Sequence, residues 1–325
     1  MGDNFRIRQI ALEINGGCNY KCPMCPQSSG RETDFLKKLP FDVFRKIVDD
    51  GVQHGVEVVS LQGSGEPTLN RDMWRYVEYV KQQGLKCMSL TNGYRLDAEM
   101  SESLIRAGID DLRVSAIGYD RETYKTWMSM DAFDRVRDQV RNFIALNDRL
   151  GGRSTLGLYH LILDIEQRDR EVEQYRKNWI DHTGALGEIW MMHNWAGTYD
   201  GAPYGRNKSD RRSCGRPHAP YLYVRAGGLN GHHGAVVSCC FTLGRDSEAV
   251  LGHLDSQTIA ETLRGDPYKE LRRLHDEKRF DEISYCKDCD QLYDCPESLV
   301  WTNVPGKKYG AAKVLMDLDF REYAK

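Results

Sequence analysis

The chain has 325 residues, of which 40% are hydrophobic and 29% are charged, and its formal net charge at pH 7 is -3. This length and composition are typical of a globular protein with one large and one small domain, or with a single large barrel. The balanced charge offers no concentrated basic surface for nucleic acid or for an anionic membrane. The sequence has neither the apolar core of a signal peptide nor the roughly 18 apolar residues of a membrane span. We therefore expect a cytoplasmic protein.

Strands alternate with helices over the first 193 residues. Apolar runs predict six strands, at residues 6–14, 56–62, 85–91, 111–116, 155–163 and 188–193. Helical spacing of apolar residues predicts helices at 40–53, 70–83, 97–107, 121–150 with a break near 129–131, and 168–182. This alternation implies right-handed crossovers and a parallel sheet, and six units fall short of a closed eight-stranded barrel.

Three cysteines follow the first predicted strand. Cys18, Cys22 and Cys25 have C-x3-C-x2-C spacing, so one short loop can direct three sulfurs into one pocket. Thiolates select iron-sulfur clusters, zinc or cuprous copper. A structural zinc site and a 4Fe-4S cube both normally take four protein ligands, and this loop supplies three. The pattern favours a cube with one open iron, and its alternatives are a zinc site or three reduced core thiols.

The C-x3-C-x2-C loop directly after a first strand resembles the signature of the radical SAM superfamily. This resemblance implies an α/β fold with a partial (β/α)6 TIM-like barrel, a 4Fe-4S cluster and S-adenosyl-L-methionine bound to its open iron. It also implies a 5'-deoxyadenosyl radical, formed when the reduced cluster cleaves the cofactor, and an electron donor such as flavodoxin or ferredoxin. Met24 stands where the family often has an aromatic residue, and its thioether can still contact an adenine face.

The same resemblance implies further cofactor-binding positions. Residues 62–67, Gln-Gly-Ser-Gly-Glu-Pro, follow the second predicted strand and resemble the family's GGEP segment, which binds the amino group of the cofactor. From this segment we assign Gly65 and Glu66 to cofactor binding. Asn92, after the third strand, and Ser115, at the end of the fourth, resemble family contacts to the polar parts of the cofactor.

The sequence pattern changes near residue 200, where we place a domain boundary. Residues 197–235 lack helical periodicity, and 256–274 predict one or two helices. We therefore expect a barrel domain over residues 1–200, a second domain over 201–300 and a C-terminal tail over 301–325. The second domain holds six cysteines: Cys214, Cys239, Cys240, Cys286, Cys289 and Cys295.

These six cysteines resemble the SPASM/Twitch extension, which holds auxiliary iron-sulfur clusters. A full SPASM domain supplies seven cysteines for two clusters, and this chain lacks the last two of them. The resemblance implies a single auxiliary 4Fe-4S cluster, as in the shorter Twitch form, with these ligands: Cys214, Cys239, Cys286 and Cys289. Cys240 and Cys295 are spare and could replace a ligand. Zinc bound by the same four thiolates is the physical alternative.

Several functions fit this pattern. Transfer of an electron to the auxiliary cluster would oxidise a small polar substrate such as a sugar or an aminocyclitol, as in the Twitch-type aminocyclitol dehydrogenases. A dehydrogenase needs a base, and His193 or His160 could serve. Return of a hydrogen atom from Cys240 would instead give an epimerase. A peptide or protein maturase is a further alternative, and a non-catalytic metal-binding protein is the alternative from another class.

Overall fold

The computed structural model describes residues 6–29, 35–201, 211–242, 246–293, 295–306 and 310–312. Within these ranges, eleven strands form one sheet. The strands are β1 (Gln9–Leu12), β2 (Val58–Leu61), β3 (Lys86–Thr91), β4 (Asp111–Ser115), β5 (Thr155–Ile162), β6 (Leu186–Met191), β7 (Tyr221–Gly227), β8 (His233–Val237), β9 (Val250–His253), β10 (Cys295–Thr302) and β11 (Gly310–Ala312). Their order across the sheet is β11-β10-β6-β5-β4-β3-β2-β1-β7-β8-β9.

The first six strands are parallel and lie in consecutive order, which confirms the predicted partial barrel. The described helices are α1 (Phe41–Gln53), α2 (Met73–Gln82), α3 (Ala98–Ala107), α4 (Arg121–Met128), α5 (Phe133–Arg149), α6 (Arg168–Tyr175), α7 (Asp181–Thr183), α8 (Asp246–Ala249), α9 (Ile259–Arg264) and α10 (Asp266–Asp276). Five π-helical residues, Arg176–Ile180, join α6 to α7. None of the described helices has both the length and the hydropathy that crossing a membrane requires.

Local sequence explains where these helices begin and end. The Asp97 carboxylate caps α3 by accepting from the Met100 amide, and α3 ends at Gly108 in the left-handed conformation. The predicted break near 129–131 is confirmed, because Ser129 adopts a left-handed φ of 51° after α4. The burial of Phe44, Ile47 and Val48 packs α1 against the sheet. With the helices outside, the loops that follow the parallel strands meet at one end of the barrel.

The C-terminal part extends both edges of the parallel sheet. β7 pairs in parallel with β1, and β8 and β9 continue from it in antiparallel order. At the other edge, β10 pairs antiparallel with β6. The sequence patterns predicted none of these strands, so the sheet continues past the proposed boundary near residue 200. Of the predicted tail, residues 307–309 and 313–325 lie outside the described residues.

The helical prediction for residues 256–274 is confirmed by α9 and α10. Thr258 and Glu261 form a capping box at the start of α9. The Ile259 amide donates to the Asp50 carboxylate at 2.7 Å, which ties α9 to α1. The C-terminal part is therefore fixed directly to the barrel.

Candidate active site

A cavity of about 470 Å³ lies where the parallel strands end. It brings together six of the residues that the sequence singled out: Cys22, Met24, Cys25, Ser115, His193 and Cys240. A cavity of this volume is within the range of small-molecule sites. Ligands of parallel sheets bind at the carboxyl ends of the strands, and the cavity has this position.

The cysteine loop forms one wall of the cavity. The Tyr20 amide donates to the Cys18 sulfur at 3.5 Å, and Asn92 Nδ2 lies 4.0 Å from the same sulfur. Burial raises the pKa of Cys18 to about 11. The pKa of Cys22 is raised as well, mainly by burial and to a smaller extent by the nearby Cys25 thiol. Three thiols in such a place become thiolates only when a cation compensates their charge.

The donor set of the cysteine loop fits an iron-sulfur cluster. A cube spreads its thiolate ligands over separate corners. Cys22 and Cys25 line the cavity, and Cys18 is the third thiol of the same short loop. Cys18, Cys22 and Cys25 would hold the cube, with the open cavity beside its free corner.

Glu66 is a buried brace between strand ends. Its Oε1 accepts from Thr68 Oγ1 and Thr91 Oγ1, both at 2.6 Å, and its Oε2 accepts from the Asn92 amide at 2.7 Å. Burial raises the pKa of Glu66, and these hydrogen bonds oppose the rise. The structure therefore holds the Glu66 carboxylate in the strand ends and does not bring it to the cavity wall.

Close packing explains the glycine at position 65. A Cβ atom there would lie 2.0 Å from the Asn15 carbonyl oxygen, so the loop after β2 rests directly on the start of the cysteine loop. Gly63 and Ser64 of the same loop do line the cavity. The Asn92 side chain donates to Asn19 Oδ1 at 2.9 Å, and it braces the cysteine loop without lining the cavity.

Glu13 is a site residue that the sequence analysis missed. Only 1% of this residue is exposed. Its Oε2 accepts from the Ser64 amide at 2.5 Å, from Ser64 Oγ at 2.6 Å and from the Gly65 amide at 3.1 Å. Its Oε1 accepts from the Ala226 amide at 3.2 Å, and Arg225 Nη1 lies 3.8 Å from Oε2. Glu13 directly follows β1, and its hydrogen bonds connect this strand end to the loop after β2 and to strand β7. The sequence signal that could have identified Glu13 is that it is the one acidic residue in the otherwise apolar run of residues 10–14.

The two predicted histidine bases have different surroundings. The His193 ring lines the cavity between Trp195 and Phe241, with ring centroids at 3.9 and 4.1 Å. His160 is fully buried, its Nδ1 accepts from the Gly118 amide at 3.2 Å, and its ring stacks on Tyr175 at 4.4 Å. Burial lowers the pKa of His160. The structure does not bring His160 to the cavity.

Two arginines on strands also line the cavity, and no local sequence pattern indicated them. Arg113 of β4 forms an ion pair with Glu188 at 3.1 Å, and Arg225 of β7 lies near Glu13. The Arg113 side chain is 34% exposed and that of Glu188 only 7%, so the cation faces the cavity and the acid stands behind it. The described lining residues include no Asp or Glu.

A second, smaller cavity lies beside the first. It is lined by all four predicted auxiliary ligands: Cys214, Cys239, Cys286 and Cys289. Burial raises the pKa of Cys289 to about 12, and it raises the pKa of Cys239 and of Cys286 too. Four thiols around one cavity, two of them buried and two half-buried, are a donor set that fits an iron-sulfur cluster.

The spare cysteines have separate positions. Cys240 lines the large cavity, although it directly follows Cys239 of the small one. Phe241 lines both cavities and so forms part of the wall between them. The backbone of Cys295 belongs to β10, and its side chain lies outside the described residues.

Comparison with known proteins decides the family. Residues 12–178 match the model of the radical SAM superfamily, which is more than half of the chain. The chain belongs to the radical SAM superfamily. Residues 231–290 match SPASM, an iron-sulfur cluster-binding domain. The protein is therefore a radical SAM enzyme that binds S-adenosylmethionine and a 4Fe-4S cluster, with a C-terminal domain for auxiliary iron-sulfur binding.

Known relatives agree with this membership. The probable GTP 3',8-cyclase of Saccharolobus islandicus (strain M.14.25 / Kamchatka #1) is 32% identical over 140 residues, which are 42% of this chain and 44% of that protein. That of Methanococcus maripaludis is 33% identical over 120 residues, 37% of this chain and 40% of that protein. The chain thus spans less than half the length of the curated relatives it matches.

Two solved structures share the fold over most of the chain. BtrN in complex with AdoMet and 2-DOIA has a TM-score of 0.59 at 18% identity, covering 87% of this chain and 93% of that one. SuiB of Streptococcus suis, bound to S-adenosylmethionine, has a TM-score of 0.57 at 15% identity, covering 83% and 68%. At these identities the likeness concerns the fold.

Proposed function

We propose that this radical SAM enzyme is an oxidoreductase that acts on a small polar substrate and passes one electron to an auxiliary 4Fe-4S cluster. The observation that carries the proposal is the shared wall between the two cavities. Phe241 lines both of them, and Cys240 of the large cavity adjoins Cys239 of the small one. A substrate radical formed in the large cavity would therefore lie beside an electron acceptor.

When bound, the 4Fe-4S cluster and S-adenosylmethionine would supply hydrogen-atom abstraction from a substrate C-H bond at the cost of one electron from a flavodoxin or ferredoxin, and the auxiliary cluster would take up a second electron from the substrate. Loss of that hydrogen atom, of this electron and of the hydroxyl proton would convert a C-OH group to C=O. His193, on the cavity wall, is the proposed base. We place this reaction in the cytoplasm, where a flavodoxin or ferredoxin would be the electron donor.

Binding of S-adenosylmethionine is assigned to the residues nearest the cysteine loop. Met24, buried beside Cys25, offers its thioether to the adenine. Gly63 and Ser64 face the cavity where the amino group would lie, while Gly65 and Glu66 fix the shape of this loop. Ser115, at the end of β4, is the proposed contact to the polar part of the cofactor, and Asn92 holds the cysteine loop from behind.

Arg113 indicates the chemistry of the substrate. A guanidinium carries five N-H donors, and Glu188 Oε1 occupies one side of it at 3.1 Å. Arg113 also lines the cavity, whose described lining has no carboxylate. We assign Arg113 to a carboxylate, a phosphate or closely spaced hydroxyl groups of the substrate. Tyr159 and His193 on the same wall suit such a polar ligand.

An epimerase is the second candidate, and the position of Cys240 favours it. The Cys240 thiol lines the large cavity, where it could return a hydrogen atom to a substrate radical. In that case no electron leaves the substrate, which is inverted at one carbon. The thiyl radical left on Cys240 would take up one proton and one electron, which the flavodoxin or ferredoxin would supply. The cavity volume of about 470 Å³ must also hold S-adenosylmethionine, which favours a small substrate over a peptide.

The test uses anaerobically reconstituted full-length protein with dithionite and S-adenosylmethionine in deuterated water. Sugars and aminocyclitols are supplied in neutral, carboxylated and phosphorylated forms. Oxidation predicts 5'-deoxyadenosine together with a product two mass units lighter, and Cys240→Ala should keep this activity. An epimer carrying one carbon-bound deuterium, lost in Cys240→Ala, would establish the second candidate instead. Stimulation by peptides alone would overturn both.

A further inference from the structure

His275 of α10 contacts a proposed ligand of the auxiliary cluster. Its Nε2 lies 3.7 Å from the Cys286 sulfur, and its Nδ1 lies 3.0 Å from Ser213 Oγ. Only 2% of His275 is exposed, and its ring meets Phe280 edge to face at 5.3 Å. Nothing in the proposed chemistry of the large cavity uses this histidine, and its ring is held from two sides.

The surrounding hydrogen bonds are consistent with a proton on Nε2 of His275. The Gly215 amide, which can only donate, gives its hydrogen to Ser213 Oγ at 3.1 Å. The Ser213 hydroxyl can give its own hydrogen to His275 Nδ1, and we assign this direction to the pair. Neutral imidazole carries its proton on the other nitrogen, and so Nε2-H points at the sulfur of Cys286.

We propose that His275, oriented by Ser213, raises the reduction potential of the auxiliary cluster through a hydrogen bond to the Cys286 sulfur. Hydrogen bonds to ligand sulfurs withdraw electron density from the cluster, and they favour its reduced state. A higher potential makes the cluster a better acceptor for the electron of the substrate radical. The inference rests on the proposed function only in taking Cys286 as a cluster ligand, and it is independent of the substrate.

The experiment measures the potential of the auxiliary cluster alone. The Cys18→Ala/Cys22→Ala/Cys25→Ala variant of the full chain serves as background, because its remaining iron signal comes from the second site. In that background we compare His275→Leu, His275→Gln and Ser213→Ala in EPR-monitored redox titrations, with iron and sulfide determined for each. His218→Leu is the control. His218 lies outside α10 and pairs with Asp276, the last residue of that helix, at 2.9 Å.

We expect His275→Leu to lower the midpoint potential, Ser213→Ala to lower it less, and His275→Gln, which keeps an N-H donor, to restore part of the loss. His218→Leu should leave the potential unchanged. An unchanged potential in His275→Leu with full iron content overturns the inference. If His275→Leu loses its iron, Ser213→Ala decides, and an unchanged potential there overturns it equally. Zinc in place of iron in the background variant would instead refute the auxiliary cluster of the proposed function.

Discussion

The two cysteine sites differ in how the chain assembles them. The first takes three sulfurs from residues 18–25, a single loop beside a cavity of about 470 Å³. The second takes four sulfurs from three separate segments and encloses them behind α10. A site that keeps an open position can bind and transform a ligand, whereas a fully ligated site is limited to structure or electron transfer. The comparison therefore supports the proposal that the first site carries the chemistry and the second accepts an electron.

The largest effect is expected from removing one ligand of the second site. Cys286→Ala should lose about four of about eight irons, because a cube with a missing thiolate is poorly held. It should still form 5'-deoxyadenosine, since the cysteine loop is untouched, while oxidised product falls below detection. The measurement is iron content with both products quantified by mass spectrometry. Cys87→Ala, at a buried thiol in β3 away from both sites, is the control. Loss of 5'-deoxyadenosine in Cys286→Ala would break the assignment of separate roles.

Glu13 should give the next largest effect, because it joins the first site to β7. Glu13→Ala leaves several buried amide donors without an acceptor, which costs about 3 kcal/mol in the free energy of unfolding. We also expect weaker S-adenosylmethionine binding, since the carboxylate holds the Ser64 amide and hydroxyl in place. Denaturant unfolding and calorimetric titration test both. Glu57→Ala, which removes an exposed pair with Arg8, should cost about 1 kcal/mol or less.

The third prediction tests whether Arg113 binds the substrate in the large cavity. Arg113→Met should raise KM about 10-fold to 100-fold, corresponding to the loss of a charged hydrogen bond, and should leave cofactor cleavage without substrate unchanged. Arg113→Lys should recover part of the affinity. The measurement is steady-state kinetics on the substrate found in the product screen. Equal KM values for wild type and Arg113→Met would remove Arg113 from substrate binding.

The smallest effect concerns pH and His160. Burial lowers the folded-state pKa of His160 below its ordinary value of 6.5, so the unfolded chain binds the additional proton first. The stability that this histidine contributes is thus complete above about pH 6.5 and is lost as the pH falls through its folded-state pKa. Each pH unit changes the free energy of unfolding by at most about 1.4 kcal/mol. His160→Phe should flatten this dependence when denaturant unfolding is measured across this pH range.

The two sites also show how far the sequence could lead. Cys18, Cys22 and Cys25 are neighbours along the chain, so their spacing alone indicates a shared ligand. The second site could be predicted only through the family resemblance, because Cys214 and Cys286 meet by tertiary folding. Glu13 and Arg113 each lie on a strand, and their roles depend on pairs with Ser64 and Glu188 that no local pattern encodes.

The strand order could be predicted only in part, because local patterns identify strands but not the pairing of strands that are distant along the chain. The alternation of apolar runs with helical patterns identified the six parallel strands, since each of the first five is followed by a helix. The pairing of β7 with β1 joins residues more than 200 positions apart, Ile10 with Leu222. Glu66 shows a different limit of sequence analysis. Its motif predicted a contact with the cofactor, whereas in the structure its carboxylate accepts hydrogen bonds from Thr68 and Thr91 and holds strand ends together.

The most direct test of the two-site account is the response of each cluster to S-adenosylmethionine. Mössbauer and EPR spectra of the reduced, iron-57-loaded protein are recorded with and without the cofactor. Spectra of the Cys18→Ala/Cys22→Ala/Cys25→Ala variant are recorded alongside. The account predicts that the cofactor changes one iron of one cluster in the wild type and changes nothing in the variant. A cofactor-dependent change in the variant, or none in the wild type, would contradict it.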